Sequence, residues 1–162
     1  MASEARQLER NAVHEAGHVI AARAAGVRVV RVVADSDGGL TSFAGPLGLD
    51  LDEVRIRVAG AVAETLAFGG SEPHSDGRSD RVEAERAAFA VAGDLAGVDE
   101  LLASVRSEVR GLLFDRWGDV GRVAKALIDR GALTAEDLEQ PQPRPEATSF
   151  LSSFRPGRGP NE

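Results

Sequence analysis

The first quarter of the chain begins with apolar residues at helical spacing. Leu8, Ala12 and Val19 recur on one face, which predicts a helix from Ser3 to Ala25. Gly26 follows this stretch at the place where a glycine commonly ends a helix. The first element of the fold is therefore predicted to be a helix of about 23 residues.

The pattern then changes to one typical of β-structure. Val27 to Ala34 is rich in valine and alternates it with arginine, which predicts a strand. Asp35 to Gly39 supplies turn residues, and Leu40 to Ala44 can return as a second strand. An isolated hairpin of this size is marginally stable in water, so we expect it to pack against helices.

Helical patterns account for most of the remaining chain. Asp50, with Glu53 three residues later, is a plausible capping box for a second helix that runs to about Phe68 and is closed by Gly69 and Gly70. A polar loop is predicted from Ser71 to Arg78. The later predicted elements are helices over 80–92, 99–117 and 119–130, and a short turn capped by Thr134 with Asp137.

Composition places these elements in one mainly helical domain, residues 1–139, followed by a proline-rich tail, residues 140–162, that we expect to be disordered. The net charge of -7 argues against nucleic acid as a partner. No signal peptide and no apolar run of about 20 residues is present, so a soluble, cytoplasmic protein is expected. With no cysteine, any zinc site must use histidine and carboxylate ligands.

The motif His14-Glu15-Ala16-Gly17-His18 carries the chemistry of the predicted first helix. Its histidines stand at i and i+4, which places them on one helix face where both can bind one metal ion. Glu15 lies beside the first ligand and can act as general base towards a zinc-activated water. The motif predicts a zinc hydrolase, although two structural histidines could match the pattern by chance.

A third protein ligand is required, because a catalytic zinc usually has three protein ligands and one open position. Glu64 on the second helix is one candidate, as a ligand, as a partner of a ligand histidine or as a surface acid. His74, Asp76 and Asp80 are the other candidates. Asp80 could equally be the N-cap of the third helix, with Glu83 three residues on. The residues alone leave these alternatives open.

In these motifs and their order, the chain resembles the peptidase domain of the FtsH-type ATP-dependent zinc proteases. The resemblance is carried by four segments in the same order: Ala12 to Val19, Gly39 to Thr41, Val58 to Gly69, and Ser75 to Asp80. With a weaker similarity further on, it covers about residues 10 to 139.

The resemblance implies that Asp80 is the third metal ligand and that Zn²⁺ is the cofactor. It also implies a compact helical domain with a small β-hairpin at the edge of the active site, where Gly39 to Phe43 would align an extended peptide. The family's ATPase module and membrane anchor have no counterpart here, and Ala61 and Thr65 replace a family Arg and Glu. A stand-alone domain is therefore expected, with hexamer assembly in question.

These observations predict a zinc metalloendopeptidase that acts on unfolded segments, on small peptides or on substrates delivered by a separate ATPase partner. Two alternatives follow from the same residues. One is a catalytically silent zinc-containing module that binds other proteins. The other is a zinc hydrolase of a non-peptide amide, since the same activated water attacks other carbonyl groups.

Overall fold

The computed structural model describes residues 2–70 and 77–140, which contain six helices and a three-stranded sheet. The mainly helical class predicted from the sequence is confirmed. In chain order the elements are α1 (Ala2–Ala24), β1 (Val29–Ala34), β2 (Gly39–Phe43), α2 (Leu51–Phe68), α3 (Gly77–Ala92), α4 (Leu95–Asp115), α5 (Trp117–Arg130), β3 (Ala132–Thr134) and α6 (Ala135–Glu139).

The sheet has the strand order β2-β1-β3 and is antiparallel throughout. The predicted hairpin is present, and Val32 at the centre of β1 pairs with Thr41 on one side. On its other side Val32 pairs with Leu133 of β3, a strand that the sequence pattern did not predict. Three residues are too few to show the alternation that identifies a strand.

The core lies between α1 and the elements packed around it. Helix α1 packs against α2, α5 and β1, and its buried face includes Val13, Val19 and Ala22. Helix α2 contributes Val54 and Ile56, both completely buried, to the same core. Because α1 has neighbours on several sides, both the apolar residues and the histidines in its middle are buried.

Two predicted helix starts are right, and in both of them a side chain caps the helix. The carboxylate of Asp50 accepts a hydrogen bond from the Glu53 amide at the start of α2. Thr134 and Asp137 form a reciprocal capping box at α6, as predicted. Helix α4 was predicted to begin at Asp99, but it begins four residues earlier because Asp94 caps it through the Gly97 amide.

Two further starts differ from the prediction. Helix α5 begins at Trp117 rather than at Asp119, with no side-chain cap. Helix α3 begins at Gly77, so that the predicted polar loop ends earlier than expected and Asp80 lies inside the first helical turn. The interpretation of Asp80 as an N-cap is therefore wrong.

Two sequence predictions fall outside the described residues. They are the polar loop over residues 71–76, which contains His74 and Asp76, and residues 141–162 of the proline-rich tail. Among the helices that are described, none is both long enough and apolar enough to cross a bilayer.

Candidate metal centre

Three side chains from two helices converge at one point in the interior. His14 and His18 lie one turn apart on α1, and the Nε2 atoms of their rings face Asp80 from α3. The Oδ2 atom of Asp80 is 3.2 Å from Nε2 of His14 and 3.1 Å from Nε2 of His18. One ligand atom from each residue lies within 4.8 Å of the others, so the group could hold a metal ion.

The opposite nitrogen of each ring is held by α2. Nδ1 of His14 is 2.6 Å from Oε1 of Glu64, and Nδ1 of His18 is 2.7 Å from the carbonyl oxygen of Ile56. Because carbonyl and carboxylate oxygens only accept, Nδ1 is the donor in both pairs. A neutral ring that donates through Nδ1 has a lone pair on Nε2. Both histidines therefore present lone pairs to the centre when they are neutral.

This arrangement fits a cation. A lone pair on Nε2 of His18 and a carboxylate oxygen at 3.1 Å repel each other unless a proton or a positive ion lies between them. The same holds for His14 and Asp80. Two imidazole nitrogens and one carboxylate oxygen form a common protein donor set for zinc, with a fourth position left open.

Charge pairing has strong effects on the ionisation of this group in the absence of metal. Burial lowers the pKa of His14, but its hydrogen bonds with Asp80 and Glu64 raise that pKa by more, to about 10. Burial raises the pKa of Asp80, but its hydrogen bonds with His14 and His18 outweigh this and hold the pKa well below its usual range. In the absence of metal, both shifts favour an ion pair between a protonated His14 and an ionised Asp80.

Asp80 is held in place from its other side by Arg57. The guanidinium NH1 of Arg57 donates to Oδ1 of Asp80 at 3.2 Å, which leaves Oδ2 directed at the histidines. Arg57 is itself 3.6 Å from the carboxylate of Glu53, one turn earlier on α2. Glu53 is buried, and this burial raises its pKa, with Arg57 opposing the rise. A chain of charges from α2 therefore fixes the carboxylate that α3 contributes.

Gly60 of α2 leaves the space that the two histidine rings occupy. A Cβ atom at this position would stand 2.4 Å from Nε2 of His14 and 2.6 Å from Nε2 of His18, far inside van der Waals contact. Both clashes involve the metal-facing nitrogens. Any side chain at position 60 would therefore displace the two rings from their present positions beside Asp80.

Glu15 lies in the same region but outside the group of candidate ligands. Its side chain is buried, and its Oε2 atom accepts a hydrogen bond of 2.6 Å from the hydroxyl of Thr41 on β2. Gly39 gives it room, because a Cβ there would lie 2.6 Å from Oε1 of Glu15. The hairpin thus meets α1 at the residue predicted to be the general base.

The structure brings together His14, His18 and Asp80, as the predicted ligand set requires. It places Glu64 against His14 on the side away from Asp80, so that Glu64 orients a histidine and does not join the group. The candidates His74 and Asp76 lie outside the described residues.

Several contributors from α2 escaped the sequence analysis. Arg57 and Gly60 were not singled out, although they precede Glu64 by seven and four residues and so share its helix face. This helical spacing from Glu64 was the feature of the sequence that could have identified both residues. The carbonyl of Ile56 left none, because a backbone oxygen is present at every position.

Comparison with known proteins adds no assignment. No protein-family model matches the chain, and no curated protein matches its sequence. The function proposed below therefore depends on the geometry of the site and on the motifs in the sequence.

Proposed function

We propose that the chain is a zinc-dependent peptidase in which His14, His18 and Asp80 hold the metal and Glu15 is the general base. The observation that carries this proposal is the convergence of the three ligand atoms within 4.8 Å, beside a buried carboxylate that is not one of them. The resemblance to the FtsH-type peptidase domains is part of the same proposal and supports it through the order of the motifs.

Zinc bound at a site of this kind supplies Lewis-acid chemistry, since it acidifies water and polarises a carbonyl. The chain supplies the proton transfer. Glu15 accepts the proton of the attacking water and passes it to the leaving amine, so that one carboxylate serves first as base and then as acid. Throughout the reaction His14 and His18 keep their Nδ1 protons and donate them in hydrogen bonds to Glu64 and to the Ile56 carbonyl.

Thr41 orients the general base. Its hydroxyl donates to Oε2 of Glu15, which leaves Oε1 for the water that is to be deprotonated. Gly39 lies against that same oxygen, so the hairpin restricts the carboxylate on one side. In this proposal the hairpin fixes the direction in which Glu15 takes a proton, an effect that depends on position rather than on charge.

The β2 strand is the proposed binding edge for an extended peptide. It is the outer strand of the sheet, next to β1 alone in the described part of the chain. Residues 39–43 begin at Gly39 against Glu15, so a peptide paired with this edge would pass close to the general base. Backbone hydrogen bonding at a strand edge favours extended and unfolded chains without demanding a particular sequence.

Glu15→Gln tests the proposal directly. We expect zinc-dependent cleavage of an unfolded test protein to fall by at least about 100-fold, the scale of a lost general base. Zinc content should remain unchanged, because Glu15 is outside the ligand group. Cleavage is measured by gel and mass spectrometry, and bound zinc by elemental analysis.

Glu9→Gln is the matched control, since it makes the same chemical change on the same helix outside the candidate centre. It should keep both activity and zinc. Full activity in Glu15→Gln, or no zinc-dependent cleavage by the unmodified protein, would contradict the proposed function.

A further inference from the structure

A cavity of about 450 Å³ adjoins the candidate metal centre and is walled on one side by His14 and Asp80. Its volume lies within the range of binding pockets for small ligands. Apolar side chains such as Val62 and Ala84 form part of its lining, so the cavity can accept both aliphatic and polar groups. The charges around it narrow this choice.

Five arginines line the cavity, from four different helices: Arg10, Arg57, Arg81, Arg106 and Arg110. The carboxylates in the same lining are those of Glu64 and Asp80. The whole chain has a net charge of -7, so the excess of positive charge here runs against the general balance of the protein. A concave site lined by one sign of charge attracts ligands of the opposite sign.

The five guanidinium groups differ in what they already bind. Arg10 pairs with Glu64 at 3.4 Å, Arg57 with Asp80 at 3.2 Å, and Arg81 with Glu85 at 3.5 Å. These three help to hold the centre or the helices around it. Each has five N–H donors, so a single ion pair does not saturate it.

Arg106 and Arg110 form no ion pair with any residue that the structure describes. They stand at i and i+4 on α4, both exposed, where two like charges repel each other. An anion between them and the metal centre would relieve this repulsion. A planar carboxylate suits guanidinium donors, which bind it through two parallel hydrogen bonds.

We propose that this cavity binds a carboxylate of the peptide substrate, with Arg106 and Arg110 as the principal binding residues. This inference rests on the proposed peptidase function and names its substrate class: peptides with a negative charge close to the bond that is cut. The carboxylate has two possible sources, an acidic side chain or the free C-terminus of the peptide.

The test measures binding rather than turnover. The full-length, zinc-loaded Glu15→Gln variant is titrated with labelled, unstructured peptides that carry either a central Glu or a central Gln, each with a free or an amidated C-terminus. We expect the carboxylate to tighten binding by about tenfold or more, as charge-assisted hydrogen bonds do. The Glu-against-Gln comparison detects the side-chain source, and the acid-against-amide comparison detects the C-terminal source.

The double substitution Arg106→Gln with Arg110→Gln should abolish the preference for carboxylate, whichever source provides it. The double control Arg31→Gln with Arg116→Gln removes the same charge from positions outside the cavity and should preserve the preference. No preference in the parent protein, no binding of any peptide, a preference that survives the cavity substitutions, or equal loss in the control would overturn the inference.

Turnover by the protein with Glu15 intact separates this inference from the function on which it rests. Cleavage of acidic and neutral peptides with equal kcat/KM and equal binding overturns the carboxylate site and leaves the peptidase in place. Carboxylate-dependent binding without cleavage of any peptide contradicts the peptidase and supports the binding site.

Discussion

Helices α1 and α2 pack against each other at the candidate metal centre, but they contribute to it in different ways. Helix α1 carries the groups predicted to do the chemistry, His14, Glu15 and His18. Helix α2 surrounds them with Glu64, the Ile56 carbonyl and the space at Gly60. The contribution of α1 depends on the chemical identity of each side chain. Part of the contribution of α2 comes instead from a backbone oxygen and from the absence of a side chain at Gly60.

A ligand motif on one helix is not sufficient for such a site, because groups on a second helix orient the ligand side chains. Spacing on α1 brings two imidazoles to one face, but it does not decide which ring nitrogen faces Asp80. That decision belongs to α2, which engages Nδ1 of both rings. Partners of this kind fix the tautomer and orientation of a ligand histidine and increase its basicity.

The strongest test of the part assigned to α2 is Gly60→Ala. The added methyl group would lie 2.4 Å from Nε2 of His14, so both rings must move away from the metal position. We expect zinc affinity to fall by at least about 100-fold, which is at or beyond the upper limit for substituting a residue that contacts the metal ligands but not the metal. Competition with a fluorescent zinc chelator measures this loss.

Gly111→Ala on α4 provides the matched control, because a Cβ at this position would meet no neighbouring side chain or element within 4 Å. It should keep zinc affinity and, as a helical Gly-to-Ala change, raise stability slightly. If Gly60→Ala bound zinc as tightly as the unmodified chain, α2 would not define the space of the metal site.

A smaller effect is expected for Glu64→Gln, which keeps the shape of the side chain and removes its charge. The amide oxygen can still accept from His14, so the ring stays in place but becomes less basic. We expect zinc affinity to fall by about 10–100-fold. Isothermal titration with zinc gives the value.

Glu108→Gln makes the same substitution in a surface ion pair with Arg55 and should leave zinc affinity unchanged. Complete loss of zinc in Glu64→Gln, equal to the loss in His18→Ala, would show that Glu64 is a ligand. Helix α2 would then supply a metal ligand itself, rather than only the groups that surround the ligands of α1.

The smallest expected effect concerns the charges of the metal-free site. The pKa of His14 is raised from 6.5 to about 10, so its contribution to stability is complete below about pH 6.5 and is lost as pH rises through 10. The pKa of Asp80 is lowered from 3.8, so its contribution is present above pH 3.8 and is lost as pH falls further. The ion pair therefore stabilises the metal-free fold most between pH 3.8 and 6.5.

Thermal unfolding with a chelator present should show this window. We expect the metal-free chain to exceed Asp80→Asn in Tm by at least about 3 °C between these limits, since 1 kcal/mol corresponds to about 2–4 °C. The difference should shrink towards pH 10. A constant difference across the range would mean that His14 is not charged in the metal-free protein.

The correct predictions concern features whose determining interactions are local. The apolar stripe of α1, the Asp50 cap, the Thr134 capping box and the i, i+4 spacing of the histidines all involve residues within one or two helical turns. Such contacts join residues that are close in the chain, so their patterns are visible in the sequence. The short β3 strand was missed because it exists only through its pairing with β1.

The tertiary structure decided what lies around the motif. Asp80 is 66 residues from His14 and is brought to it by the packing of α3 against α2. The roles of Glu64, Arg57 and Gly60 likewise depend on which face of α2 meets α1. Local spacing determines which groups a helix can present, whereas only the packing of helices determines what those groups meet.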